Sequence, residues 1–168
     1  MTPGLYLSGI RYESVADGPG VRATIFVSGC KHNCPECQSP MTHNFTAGRE
    51  VTDELIEEMN HEILIRKFLS GITLSGGDPF YSASKVVEML DKLYIPFNNI
   101  WAYTGFTFEE VRDDPEMRRL LERVDVLVDG KYIAEQRDIT LKFRGSTNQR
   151  LVNVKDSLND PNGKIHII

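Results

Sequence analysis

The sequence predicts an α/β fold, an incomplete and open (β/α) barrel around a parallel sheet, and three observations lead there. Short apolar runs rich in β-branched and aromatic residues recur at Val21 to Ser28, Ile72 to Ser75, Ile100 to Tyr103 and Val124 to Val128. Helical spacings fill the intervals between them, and a strand–helix rhythm with short connections implies right-handed crossovers and parallel strands. At 168 residues the chain has room for one continuous core, so residues 1–168 read as a single domain, yet it is short for a complete eight-fold barrel.

Taken in order, Leu5 to Ile10 reads as a short strand, and Asp17-Gly18-Pro19-Gly20 is a dense turn signal. The run from Val21 to Ser28 has little polar interruption, which suits a strand buried on both faces in a sheet covered by helices. Gly29 ends it, and residues 38–51 follow as a polar connection without periodicity. Thr52 has the character of a helix cap, with Asp53 and Glu54 placed against the positive end of the helix dipole. Leu55, Ile56, Met59, Ile63 and Phe68 then recur at helical spacings, giving a helix over 53–69 that Gly71 stops. After Gly76-Gly77-Asp78-Pro79, the spacing of Val86, Val87, Leu90 and Leu93 marks a second helix. Thr107-x-x-Glu110 has the form of a capping box, and Asp114-Pro115 restarts that helix towards Leu120 and Leu121. The tail reads as three β-type runs, Thr140 to Phe143, Arg150 to Val154 and Ile165 to Ile168, with no helix between them.

Charge and hydropathy narrow the function classes. Nineteen Lys and Arg against 24 Asp and Glu give a net charge of −5, which provides no general field for nucleic acid. No segment approaches the roughly 18–20 apolar residues that span a bilayer, and the first residues lack a basic start with an apolar run, so a soluble cytoplasmic protein is expected.

All three cysteines of the chain lie in one stretch, Cys30-x3-Cys34-x2-Cys37, directly after the second apolar run. Core cysteines would be scattered, and an odd number so close together makes a poor disulfide framework, so the spacing points to a metal centre at the carboxyl end of a central strand. Two metals fit the spacing. Structural zinc would need a fourth ligand, with His32 or His43 nearest in sequence. A 4Fe–4S cube held by three thiolates would keep one iron open for chemistry. An electron carrier fits less well, because carriers close all four irons with protein ligands.

The combination of Asp17-Gly18-Pro19-Gly20-Val21-Arg22, Phe26, Gly29, the cysteine stretch and Gly76-Gly77-Asp78-Pro79 resembles the radical S-adenosylmethionine enzymes, and more narrowly the small activating enzymes of glycyl-radical proteins. The segment Phe143-Arg144-Gly145-Ser146-Thr147-Asn148-Gln149-Arg150 is similar to the corresponding part of the proteins that activate anaerobic ribonucleotide reductase, and the likeness extends over essentially the whole chain. The resemblance implies a partial barrel of the radical S-adenosylmethionine type. It implies that Cys30, Cys34 and Cys37 ligate three irons of one 4Fe–4S cluster per chain and are the catalytic residues. Glu36, Cys37, Gln38, Gly76, Gly77 and Asp78 would contact S-adenosylmethionine at the remaining iron.

By the same resemblance the activity is reductive cleavage of that cofactor and transfer of the radical to a glycine of the anaerobic ribonucleoside-triphosphate reductase large subunit. A low-potential donor such as flavodoxin would supply the electron, and the chain would form a homodimer or a hetero-oligomer with the reductase. Related readings are a pyruvate formate-lyase-type activase and a deazapurine synthase; a zinc-stabilised binding module is the reading from another class. Many radical enzymes place an aromatic residue before the third cysteine, where this chain has Glu36. Asp17 and Arg22 are candidates for ordering the cluster loop or facing the partner, with a turn and a strand-edge charge as equally good readings. The polar 144–150 segment is expected at the reductase contact, and His32, His43, His61 and His166 are assigned surface or structural roles.

Overall fold

Why the central strands run parallel is visible in the connections: each neighbouring pair is joined through at least one α-helix, whereas the segments leading to the antiparallel edge strands contain none. The computed structural model describes residues 4–37 and 40–168. Its sheet contains β1 (Tyr6–Ser14), β2 (Arg22–Val27), β3 (Arg49–Glu50), β4 (Gly71–Gly76), β5 (Ile100–Tyr103), β6 (Val126–Asp129) and β7 (Arg150–Asn153), in the order β3-β1-β2-β4-β5-β6-β7. Strands β2, β4, β5 and β6 pair in parallel. At the edges, β1 joins β2, β3 joins β1 and β7 joins β6, each antiparallel. Direction alternates twice from β2 to β3, so β3 runs with the central four and the sheet is mixed but mostly parallel.

The helices form where capping and spacing direct. Helix α1 (Asp53–Ile65) begins with the Thr52 hydroxyl accepting from the Leu55 N–H at 3.2 Å. It stops at Ile65, short of the expected 53–69, and Phe68 lies beyond it and exposed. Helix α2 (Ala83–Lys92) packs Val86, Val87 and Leu90 inward. Both halves of the Thr107–Glu110 capping box are present at α3 (Phe108–Asp113), and Asp114 then caps α4 (Pro115–Leu121) with Pro115 in its first turn.

The tail corrects the sequence reading. Helix α5 (Val154–Leu158) follows β7, with the Asn153 side chain accepting from the Asp156 N–H; five residues are too few for a periodic signal. Thr140 to Phe143 forms turns and not a strand, and Ile165 to Ile168 contributes one bridge, Ile167 to Val152. Within 38–51, read as irregular, Pro40–Thr42 makes a 3-10 turn and Arg49–Glu50 pairs as β3.

One face of the sheet carries the main core. Ile72, Leu74, Ala102 and Leu127 pack with Met59, Val86, Leu90, Phe108 and Leu120 from α1 to α4. The side chains that alternate to the other face are different. Trp101, Val126 and Val128 form a small cluster with Tyr103, Phe143 and Leu151, and beside it Arg22, Thr24 and Thr73 are fully buried. Helices thus cover one face, while the 14–20 turn and the 137–149 loop cover the other.

Arg22 shows how the second face is held. Its Nε donates to Thr73 Oγ1 at 2.8 Å, and its terminal nitrogens donate to the carbonyls of Pro19, Ile72 and Asn99. Asp17 accepts from the hydroxyls of Ser14 and Thr24. Arg22 is therefore neither a strand-edge charge nor a partner contact. A guanidinium buried at 0% exposure is tolerable only because its donors are satisfied internally.

Candidate metal centre

The cysteine loop leaves β2 at a point where only glycine fits. Gly29 sits at φ 110°, and a Cβ there would come 2.2 Å from the Phe45 ring. The loop is stitched to its surroundings by the backbone: Gly29 N–H donates to Thr42 at 2.7 Å, Cys30 N–H to His43 at 3.2 Å, and Asp78 N–H to Gly29 at 2.8 Å. Asn33 and Glu36 both adopt left-handed backbone conformations, φ 52° and 57°, and Cys37 N–H closes a turn onto the Cys34 carbonyl. These two turns fold the eight-residue stretch back on itself, so that Cys30, Cys34 and Cys37 line one cavity of about 180 Å³.

The opposite wall is made by the carboxyl ends of the parallel strands. Gly76 at the end of β4 and Gly77 after it, Thr104 and Gly105 after β5, and Gly130 after β6 all line the same cavity, the position at which α/β sheets place ligands. A Cβ on Gly77 would lie 2.6 Å from the Gly29 carbonyl oxygen and 2.7 Å from that of Thr42. The glycine there lets two backbone segments meet and leaves the cavity wall free of side chain. Tyr132, Gly145 and Gln149 from the C-terminal loop close the remaining side.

Burial pushes the Cys30 thiol up to about 11, opposed by a hydrogen bond from the His32 backbone N–H. Burial raises the Cys34 thiol too, opposed by the Tyr132 backbone. Metal binding must therefore displace protons here and supply the positive charge that stabilises the thiolates. A zinc ion gathers its ligands within about 2.3 Å of one point, and among the described residues no three His, Cys, Asp or Glu side chains are grouped so as to hold one metal ion. The three thiols instead line a wider cavity.

The expected site residues fall into two groups. Cys30, Cys34, Cys37, Gly76 and Gly77 come together at the cavity. Asp78 does not line it: at 1% exposure its Oδ1 accepts from Phe80 N–H, and its Oδ2 accepts from Thr104 Oγ1, Gly105 N–H and His32 Nε2. Glu36 is exposed on its turn, and Gln38 lies outside the described residues.

Sequence reasoning undervalued two histidines. His32 is buried at the cavity, 2.7 Å from Asp78, and His43 Nε2 lies 3.3 Å from Cys37 Sγ. Nearness to the cysteines in sequence was the only signal available. The polar tail segment has internal partners: Asn148 donates to the Lys131 carbonyl, Gln149 to the Gly130 carbonyl, and Arg150 to Asp129 and Glu109. Asn148, Gln149 and Arg150 anchor β6 and the residues after it, and Gln149 also lines the cavity. Burial shared with Arg150 also leaves Asp129 at 1% exposure.

The donor set and its setting define an iron–sulfur protein, and comparison agrees. A family described as 4Fe-4S single cluster domain matches residues 16–152. Among curated relatives, the anaerobic ribonucleoside-triphosphate reductase-activating protein of Vibrio cholerae is 41% identical over 143 residues, covering 80% of this chain and 89% of its own. The proteins of that name from Escherichia coli K12 and Enterobacteria phage T4 are 34% and 36% identical, again over 80% of this chain and over 90% and 85% of theirs. The chain belongs to this family of anaerobic ribonucleoside-triphosphate reductase-activating proteins, enzymes of the radical S-adenosylmethionine class.

Proposed function

We propose that the chain activates anaerobic ribonucleoside-triphosphate reductase by generating a glycyl radical on it. One observation carries the reading: three thiols and the glycine-rich ends of three parallel strands face each other across a single cavity. Cys30, Cys34 and Cys37 would hold three irons of a 4Fe–4S cluster, leaving the fourth to the methionyl amine and carboxylate of S-adenosylmethionine. When bound, this pair supplies one-electron cleavage of the sulfonium to methionine and a 5′-deoxyadenosyl radical able to take a hydrogen atom from a glycine.

The residues of the chain bind, orient and shield. Gly76 and Gly77 offer backbone to the cofactor without a side chain in the way. Glu36, Cys37 and Gln38 are assigned to the cofactor, Glu36 through its backbone because its side chain is exposed. Asp78 acts from behind the wall, through the groups that it holds. Tyr103, Tyr132 and Gln149 border the cavity on the side of the C-terminal loop and restrict water there.

We read the sheet as the wall of an open, incomplete barrel with its helices outside, a reading supported by their confinement to one face. The open side suits a glycine delivered on another protein. The account places the protein in the cytoplasm, with a low-potential donor such as flavodoxin and a homodimer or a complex with the reductase as its assembly. Anaerobic reconstitution with iron and sulfide, reduction and assay for 5′-deoxyadenosine tests it. Wild type should bind four irons and release the nucleoside, and C30A, C34A and C37A should do neither. A colourless protein holding zinc would overturn the reading.

A further inference from the structure

The contact between His32 and Asp78 joins parts of the chain 46 residues apart, and nothing in the function proposed above requires it. An ionised carboxylate only accepts, so the His32 Nε2 carries the proton that it shares with Asp78. The imidazole has little room to be elsewhere. It packs at 5.0 Å from the Tyr81 ring and 4.5 Å from the Phe106 ring, and the place where Gly105 would carry a Cβ is 2.5 Å from its Cδ2. Asp78 in turn receives four donors at 1% exposure, one on Oδ1 and three on Oδ2, so its Oδ2 is fully engaged within the protein.

We propose that His32 is a positioning residue that fastens the cysteine loop to the rim formed by β4 and β5, with Asp78 as the buried anchor. His32 is the only side chain between Cys30 and Cys34 that reaches this anchor among the described residues, and its own backbone N–H points at the Cys30 sulfur. Fixing the imidazole therefore fixes the peptide that approaches Cys30. Buried and outside the cavity lining, Asp78 is removed from direct contact with a cofactor ammonium, which is left to the backbone around Gly76 and Gly77. The inference rests on the cysteine loop being the cluster-holding loop, but the clamp exists in the metal-free chain and is tested there.

The test uses the full-length, metal-free chain under reducing anaerobic conditions and measures the rate at which iodoacetamide alkylates Cys30, resolved by peptide mass spectrometry. H32F keeps a ring between Tyr81 and Phe106 and removes the donor; H32Q removes the ring and keeps a donor near the Nε2 position. With the fold checked by thermal unfolding and each rate divided by the thiolate fraction read from its own pH dependence, H32F should alkylate about tenfold faster, the loss of one charge-assisted hydrogen bond, and H32Q should stay near the wild-type rate. After reconstitution, a chelator should strip iron from H32F faster than from H32Q. D78N, which weakens the same anchor, should reproduce the faster alkylation if H32F fails to fold. Equal rates in wild type and H32F, or H32Q as fast as H32F, overturn the clamp. A wild-type protein that shows the clamp yet cleaves no S-adenosylmethionine would count against the proposed function and leave this inference standing.

Discussion

Replacing Gly105 with alanine separates steric from conformational effects at the site, because its φ lies outside the left-handed region and alanine is compatible with its backbone. Taken alone, the change should stabilise the protein by about 0.4–1 kcal/mol through the unfolded chain. The structure predicts the opposite sign. The new Cβ would meet His32 Cδ2 at 2.5 Å and Nε2 at 2.7 Å, and the ring is held by Tyr81, Phe106 and Asp78. Overpacking a fixed group costs about 1–3 kcal/mol, and a ring that escapes forfeits a charged hydrogen bond of about 1.5–3 kcal/mol. The net is a destabilisation of about 1–2 kcal/mol, or about 2–8 °C in Tm for a chain of this length. Thermal unfolding followed by circular dichroism reads it directly. In an H32A background the overlap is gone, and the same G105A change should become neutral or stabilising. A G105A protein as stable as wild type, or a loss that persists in H32A, would refute the reasoning.

Other perturbations follow from the same geometry. G77A should lose most of its iron after reconstitution and about 1–3 kcal/mol of stability, since its Cβ would strike the backbone carbonyls of Gly29 and Thr42, which cannot turn aside; iron content and Tm together check this. R150M should cost about 2–3 kcal/mol in denaturant unfolding, because Asp129, at 1% exposure, loses its cation and keeps only the Phe108 N–H on Oδ2. The Arg150 hydrogen bond also holds the Glu109 carboxyl below its ordinary 4.5. A depressed folded value contributes stability above the unfolded pKa and loses it as pH falls through the folded one. Wild type should therefore lose Tm more steeply than R150M as pH is lowered from 5 into the acid range, and parallel profiles would contradict the pairing.

How much was legible in the sequence depended on whether the cause was local. Strand β5 has the bounds read from Ile100 to Tyr103, and the caps at Thr52, Thr107 and Asp114 are where the side-chain oxygens announced them. The cysteine loop fell at a strand end because Gly29 closes an apolar run. What failed needed tertiary partners or more residues than the pattern supplies. Arg22 looked like an edge charge because its acceptors, the carbonyls of Ile72 and Asn99, lie 50 and 77 positions away. His32 could be assigned no more than a surface or structural role for the same reason, its partner Asp78 lying 46 positions away. For Arg150 and Asn148, read as facing a partner, polarity alone gave no sign of their internal partners, the buried Asp129 and the Lys131 carbonyl.

The central claim is that the open cysteine loop serves radical chemistry on a partner protein. The most direct measurement is an electron paramagnetic resonance spectrum of anaerobic ribonucleoside-triphosphate reductase after incubation with the reconstituted, reduced chain and S-adenosylmethionine. The account predicts an organic glycyl-radical signal on the reductase, absent when the chain carries C34A. A reductase that remains without a radical while the intact chain holds its cluster and releases 5′-deoxyadenosine would contradict it.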